Sequence, residues 1–297
     1  MKIVYQKKKF RPESLILLFQ SDDIIKEYAA QGFDLTLRQL YYQLVSRDII
    51  PNNIKSYNKL KQLISNGRLA GYIDWDAIVD RTRLFKKPTV WGSPGEIIEA
   101  CADQYAVDQW EDQPVVVEVW IEKDALTGVF EGICDRYQVP LFACRGYVSQ
   151  SAQWRSARRI AHRDKGTVIL HFGDHDPSGT HMTEDIGDRL RMLDAGDDNF
   201  QVIRCALNMD QIDQYNPPPN PAKESDSRWP SDVATYQTES SWELDAISPR
   251  NLERLVEDRL HSIMDLDAWQ NAERRTENGR ELLADAVQWV RDQEDND

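Results

Sequence analysis

Two aspartates stand one residue apart in VILHFGDHDPSGTHM, residues 168–182, directly after a run of apolar and β-branched residues. In an extended segment residues i and i+2 point the same way, so Asp174 and Asp176 offer oxygen donors on one side of the chain. A third carboxylate, Glu122, closes the run VVVEVWIE at residues 115–122. Carboxylates gathered from several strand ends make the hard, oxygen-rich environment that suits Mg²⁺, with Mn²⁺ as the substitute ion. The competing role for Asp176 is structural, because Asp is a favoured N-cap and Pro177 and Gly179 open a helix just beyond it. A zinc site built on His171, His175 and His181 is the lesser alternative, since residue 171 of a buried parallel strand should point inward.

The elements that must position these groups can be read from periodicity. Val168, Ile169 and Leu170 read as a buried strand, and Gly173–Gly179 as the loop at its carboxyl end, which is where ligands bind in open α/β sheets. Strand-like runs at 115–122, 139–146, 166–173 and 200–207 alternate with helical runs at 124–137, 149–163 and 179–193. That alternation predicts an α/β fold with a mostly parallel sheet and helices on its faces, while leaving the strand order open. Glu122 joins the aspartates only if the first and third strands are neighbours.

Upstream, three amphipathic helices are expected. The first covers residues 12–31, the second follows Thr36 as N-cap, and the third, IKSYNKLKQLISNGRLAGYI, carries Lys55, Lys59, Lys61 and Arg68 on its outside. With DWDAIVDRTRLFKK after them, including Arg81 and Arg83, they resemble a helix-turn-helix with a wing. The chain therefore divides into a winged-helix domain at 1–90, a linker helix at 91–113, an α/β core at 114–210, and a proline-rich loop with a helical C-terminal extension at 211–297.

Length and composition set the outer bounds. The 297 residues can bury a full core and suit two domains. The formal charge of −14 is unevenly spread: residues 1–90 carry net +7 and the remainder net −21. A basic module on an acidic protein is the asymmetry expected of a DNA-binding unit, because phosphate neutralisation supplies most nonspecific affinity. Lys55, Lys59, Lys61, Arg68, Arg81 and Arg83 are the candidate DNA contacts. Four scattered cysteines imply neither a disulfide framework nor structural zinc. With no long apolar run and no signal-like start, the expected location is cytoplasmic and nucleoid-associated, without membrane contact. No GxxxxGK[ST] occurs, so no ATP site is expected in this chain.

Taken together, VWIEKDALTGVF and HFGDHDPSG resemble the Toprim domain, which is shared by type IA and type II topoisomerases, primases and several nucleases and is marked by a strand-ending Glu and a later DxD. The resemblance implies that Glu122, Asp174 and Asp176 ligate Mg²⁺, with Lys123 and Gly179 matching the "EK" and "DPxG" variants of one branch. TLRQLYYQL resembles the tyrosine motif of the type IIB topoisomerase (topoisomerase VI) A subunit and of its relative, the meiotic double-strand-break transesterase. That motif lies in a winged-helix (CAP-like) domain ahead of a Rossmann-like Toprim domain, and carries over Tyr42 as nucleophile and Arg38 as the arginine before it. The two lie i and i+4 on one helical face, so the guanidinium can bind the scissile phosphate and favour the phenolate.

The likeness covers residues 10–205 in order, and is nearest the compact "mini-A" relatives. It implies a homodimer that cleaves double-stranded DNA, with nucleophile and metal contributed by different protomers. A GHKL-type ATPase B-like subunit is an implied partner, although mini-A relatives often lack one. The segment SWELDAISP matches nothing in that family. Two other functions remain open: a Toprim nuclease of defence systems, in which metal-activated water replaces the tyrosine, and a DNA-binding subunit without catalysis.

Overall fold

The computed structural model describes residues 1–78, 88–196, 199–221 and 240–294. Arg81 and Arg83, most of the expected wing and much of the proline-rich loop lie outside the described residues. Four strands, β1 (Val115–Ile121), β2 (Leu141–Ala143), β3 (Gly166–Phe172) and β4 (Phe200–Ala206), form one sheet in the order β2-β1-β3-β4. All three pairings are parallel. The chain runs from β1 outward to β2 and then crosses back to β3 on the other side of β1. The carboxyl ends of β1 and β3 therefore flank a topological switch point, where crossover connections diverge and leave a crevice.

Alternation along the strands sorts side chains between two cores. Val117, Val119 and Ile121 of β1 join Leu170 and Phe172 of β3 on one face. There α5 (Thr127–Arg136), α8 (Met209–Tyr215) and α9 (Pro249–Ile263) cover them, through Val129, Phe130, Ile212, Leu252 and Val256. On the opposite face Trp120 and Ile169 pack under α6 (Gln150–Ala161) and α7 (Pro177–Met192), meeting Ala157, Ile160, Ile186 and Leu190. Each buried aliphatic side chain of this kind contributes about 1.5–3 kcal/mol, and cover on both faces is why the strands read as nearly continuous apolar runs.

The N-terminal module is the helical cluster α1 (Pro12–Ala29), α2 (Leu37–Ser46) and α3 (Ile54–Leu69), closed around Leu18, Leu40, Leu44, Leu60 and Ile73. Its strand-like contacts among the described residues are isolated bridges, Val4 with Ala70 and Leu35 with Ile78. Helix α2 begins as the sequence predicts. Thr36 caps it, and Gln39 returns the bond to the Thr36 amide to complete a capping box, an arrangement worth about 1 kcal/mol.

Two of the expected segments make long-range contacts. The linker helix α4 (Pro94–Gln104) lies along α10 (Leu266–Glu294), tied by Arg291 to Glu99 and by the Gly95 amide, which donates to Glu294 Oε1 at 2.8 Å. The C-terminal segment also supplies Ala246 to the N-terminal helical cluster, while Leu252, Val256 and Trp269 complete the sheet core. The last third of the chain thus joins the other two parts. Among the described residues no helix is long and apolar enough to cross a membrane.

Candidate metal centre and tyrosine cleft

β1 and β3 are neighbours in register, Ile121 beside Phe172, so Glu122 and Gly173 leave the sheet side by side. The Glu122 amide donates to Phe172 O at 2.9 Å, and Glu122 Oε2 in turn accepts from the Asp174 amide at 2.8 Å. Gly179 explains the tight DPSG turn. A Cβ there would come within 2.3 Å of the Asp174 carbonyl oxygen, so only glycine lets α7 start this close to the loop.

Asp174 turns inward and Asp176 turns to the helix. Asp176 Oδ1 accepts from the Gly179 amide at 2.7 Å as the N-cap of α7, the structural role weighed for it above. Asp174 Oδ1 accepts from the Leu244 amide at 2.8 Å, which brings a segment 70 residues downstream onto the sheet edge. That segment is zipped in place by His175 and Trp242, whose amides and carbonyls exchange bonds of 2.8 and 2.9 Å.

The docking of this segment creates the cluster. Ligand atoms of Asp174, Glu243 and Asp245 all lie within 4.8 Å of one another, the grouping that could hold a metal ion among the described residues. It shares Asp174 with the set predicted from sequence. Glu122 stands one layer behind, on the Asp174 backbone, and Asp176 is engaged as a cap. The three histidines do not form a zinc site: His171 is buried against Thr183 Oγ1 at 2.8 Å, His175 Nδ1 meets Leu207 O at 2.9 Å, and His181 pairs with Tyr147 at 2.9 Å. Burial pushes the His171 imidazole down to about 3, so it is neutral.

Two cations face the carboxylates. Lys123 Nζ lies 2.8 Å from Asp174 Oδ2 and 3.1 Å from Asp245 Oδ1, and also contacts Glu243. Burial works against its charge, but Asp245, Asp174 and Glu243 outweigh that and hold the ammonium protonated, above the usual lysine range. Arg38 reaches across from α2, with Nη2 2.7 Å from Glu243 and Nε 3.2 Å from Asp245. Three carboxylates against two cations leave surplus negative charge. Burial first, then the neighbouring carboxylates, push the Asp174 carboxyl up to about 7 despite Lys123. All-oxygen donors with uncompensated charge fit a hard divalent cation, whose binding would relieve that repulsion.

Arg38 also belongs to a second feature. A cleft of about 510 Å³ is lined by Arg38, Tyr42, Asn52, Tyr57, Asn220 and Glu243, among others. Tyr42 forms its inner wall and is 4 % exposed, with the Arg38 guanidinium 5.9 Å from its ring centre. Burial pushes the phenol up, Glu243 adds to this, and hydrogen bonds from Asn220 and Arg38 oppose it without prevailing. Tyr41 instead bonds Asn52 at 2.9 Å and stacks edge-on against Tyr57.

Tyr42, Arg38, Lys123, Glu122 and Asp174 are thus all brought to one neighbourhood of one chain. Lys55, Lys59 and Lys61 are exposed on α3. Arg68 is drawn inward, donating to Ile78 O and lying 5.9 Å from the Trp75 ring centre, so it is spent on the fold. Glu243, Asp245 and Asn220 were not expected. SWELDAISP carries an ExD spacing, but Leu244–Ala246 form a 3-10 turn, so the docking of the segment, not strand alternation, brings Glu243 and Asp245 to Asp174. In fold and site this is an α/β protein with a four-stranded parallel sheet carrying a buried acidic cluster at its switch point. Comparison with protein-family models and with curated proteins finds no match.

Proposed function

We propose that the chain is a metal-dependent DNA-cleaving enzyme of the type IIB topoisomerase A-subunit class, acting as a homodimer by tyrosine transesterification. In this reading the α/β core is a Toprim domain, the N-terminal module is of the winged-helix kind, and the partner is double-stranded DNA. The observation that carries the proposal is Arg38, one side chain that borders the Tyr42 cleft and pairs with two carboxylates of the cluster. It links nucleophile and metal ligands within one protomer, whereas the family resemblance implies two.

A bound Mg²⁺ or Mn²⁺ would supply charge neutralisation at the phosphate. The protein's own groups do the rest. Asp174, Glu243 and Asp245 would hold the cation, and Glu122 orients Asp174 through its amide. The planar guanidinium of Arg38, at the mouth of the Tyr42 cleft, binds two phosphate oxygens. Tyr42 then forms the new phosphorus–oxygen bond as the bond from phosphorus to one deoxyribose oxygen breaks, and the phenolic proton ends on the departing hydroxyl. A second copy acts on the other strand. An ATPase subunit belongs to this reading as an optional partner.

The burial that holds the Tyr42 phenol protonated favours a second reading, a Toprim nuclease in which water attacks. One experiment separates the two. Supercoiled plasmid is incubated with protein and Mg²⁺ or Mn²⁺, stopped with detergent, and resolved with and without protease. Protein-linked ends that vanish in Tyr42→Phe establish the transesterase. Free ends that survive Tyr42→Phe but vanish in Asp174→Asn establish the nuclease, and intact plasmid with the wild type overturns both.

A further inference from the structure

Residues 136–163 contain six arginines and neither aspartate nor glutamate, inside a part of the chain that is otherwise strongly acidic. Arg159 and Arg163 are consumed by the buried Glu118. Of the others, Arg136 pairs with Glu257 at 3.5 Å and the exposed Arg145 with Asp124 at 3.2 Å. Trp154, Arg155 and Arg158 share the exposed face of α6, and neither Arg155 nor Arg158 forms an ion pair with another described residue. Trp154 is 54 % exposed and Tyr147 41 % exposed, so two aromatic faces stand among these arginines.

These groups form a continuous track. It starts at the carboxyl edge of the sheet, where the Gly146 amide donates to Glu122 O at 3.1 Å and Arg145 and Tyr147 flank the contact. Tyr147 then lies against His181 on α7, with ring centres 5.9 Å apart. The track ends at a cleft of about 430 Å³ lined by Gln150, Ser151, Trp154, Arg155 and Leu193, beyond the last turn of α7. Along α7 itself, Asp185 is matched by Arg189 and Asp188 by Arg191, so these acids do not cancel the arginines of α6.

We infer that this track binds single-stranded polynucleotide, with bases stacking on Tyr147 and Trp154 and phosphates held by Arg145, Arg155 and Arg158. Exposed aromatics spaced between cations are what unpaired strands require, since every base offers a π-face while duplexes hide theirs. The inference deepens the proposed DNA reading: the track leads away from the metal-capable edge and would guide a strand opened or broken there.

The test is fluorescence anisotropy with labelled oligothymidylate and with a duplex of equal length, in metal-free buffer so that nothing is cut. Trp154→Ala should weaken oligothymidylate binding by about tenfold or more. The double variant R155A/R158A should lower the slope of log affinity against log salt by about 1.4. Lys55→Ala with Lys59→Ala, on the other module, should weaken duplex binding and leave oligothymidylate unchanged. Wild-type affinity for oligothymidylate in both α6 variants overturns the inference, as does a wild-type protein that binds only duplex. Because cleavage is read separately with Tyr42→Phe, loss of the track leaves the transesterase reading standing, and loss of that reading leaves the track standing.

Discussion

Two buried acidic sites lie along β1, one at the middle of the strand and one gathered beyond its carboxyl end, and they are built to opposite rules. Glu118, in the middle of β1, is 1 % exposed and meets Arg159 at 2.8 Å, Arg163 at 2.7 Å and the Trp120 indole N–H at 2.9 Å. One carboxylate faces two guanidinium groups. Burial alone would push it up, but Arg159, Trp120 and Arg163 outweigh burial and hold its carboxyl below the usual range. At the end of the same strand, Asp174, Glu243 and Asp245 share Lys123 and Arg38, and Asp174 is pushed up instead. A buried charge with matched partners is a finished structural joint. A buried cluster with more carboxylates than cations is unfinished, and its surplus charge gives it a reason to bind something else.

The sharpest way to break this contrast is by activity. Asp174→Asn keeps an oxygen acceptor for the Leu244 amide while removing the charge, and should reduce plasmid breakage to background. Glu118→Gln should leave breakage by the folded fraction intact. If both variants cleave alike, the distinction between the clusters is wrong. Stability should separate them in the reverse direction. Glu118→Ala strands two arginines and should cost about 3 kcal/mol in urea unfolding, whereas Asp174→Asn in metal-free buffer should be close to neutral because it relieves repulsion.

Metal sharpens the comparison further. Saturating Mn²⁺ should stabilise the wild type by about 2–3 kcal/mol at a hundredfold excess over the dissociation constant, read as a rise in melting temperature. The rise should vanish in Asp174→Asn and persist in Glu118→Gln. The smallest expected effect is in the pH dependence of the metal-free protein. Asp174 binds its proton more tightly in the folded chain, at about 7 against an ordinary 3.8. The folded state therefore holds more protons in that window, and stability should fall as pH rises through it. Glu118 has the opposite sign, because its contribution is present above the ordinary carboxylate value and is lost as pH falls through its depressed folded value. Asp174→Asn should flatten the first slope and Glu118→Gln the second.

Much of this arrangement is legible in the sequence where the controlling interactions are local. The capping box at Thr36 and Gln39, the nearly continuous burial of β1 and β3, and the helix opened by Pro177 all depend on residues within one turn or one strand. Even the two uses of Asp176, cap or ligand, could be set out beforehand, because an N-cap is a local contact. Glu243 and Asp245 were not legible in the same way. They reach the site through backbone pairing between His175 and Trp242 and through the Leu244 amide on Asp174, contacts whose sequence separation no periodicity encodes. The packing of α4, within the expected linker at 91–113, against α10 at the far end of the chain is a contact of the same long-range kind.

The sequence by itself determined the alternation of strands and helices, the placement of Glu122 and Asp174 at strand ends, and the i, i+4 relation of Arg38 and Tyr42, because each follows from the 2.0- and 3.6-residue periods of the backbone. Tertiary structure alone decided that β1 and β3 are neighbours, and that Asp174 is grouped with Glu243 and Asp245 while Asp176 caps α7. It also decided that Arg38 ties the tyrosine cleft to the carboxylates. Those outcomes depend on which distant surfaces bury one another, and burial is settled by the whole chain closing on its core.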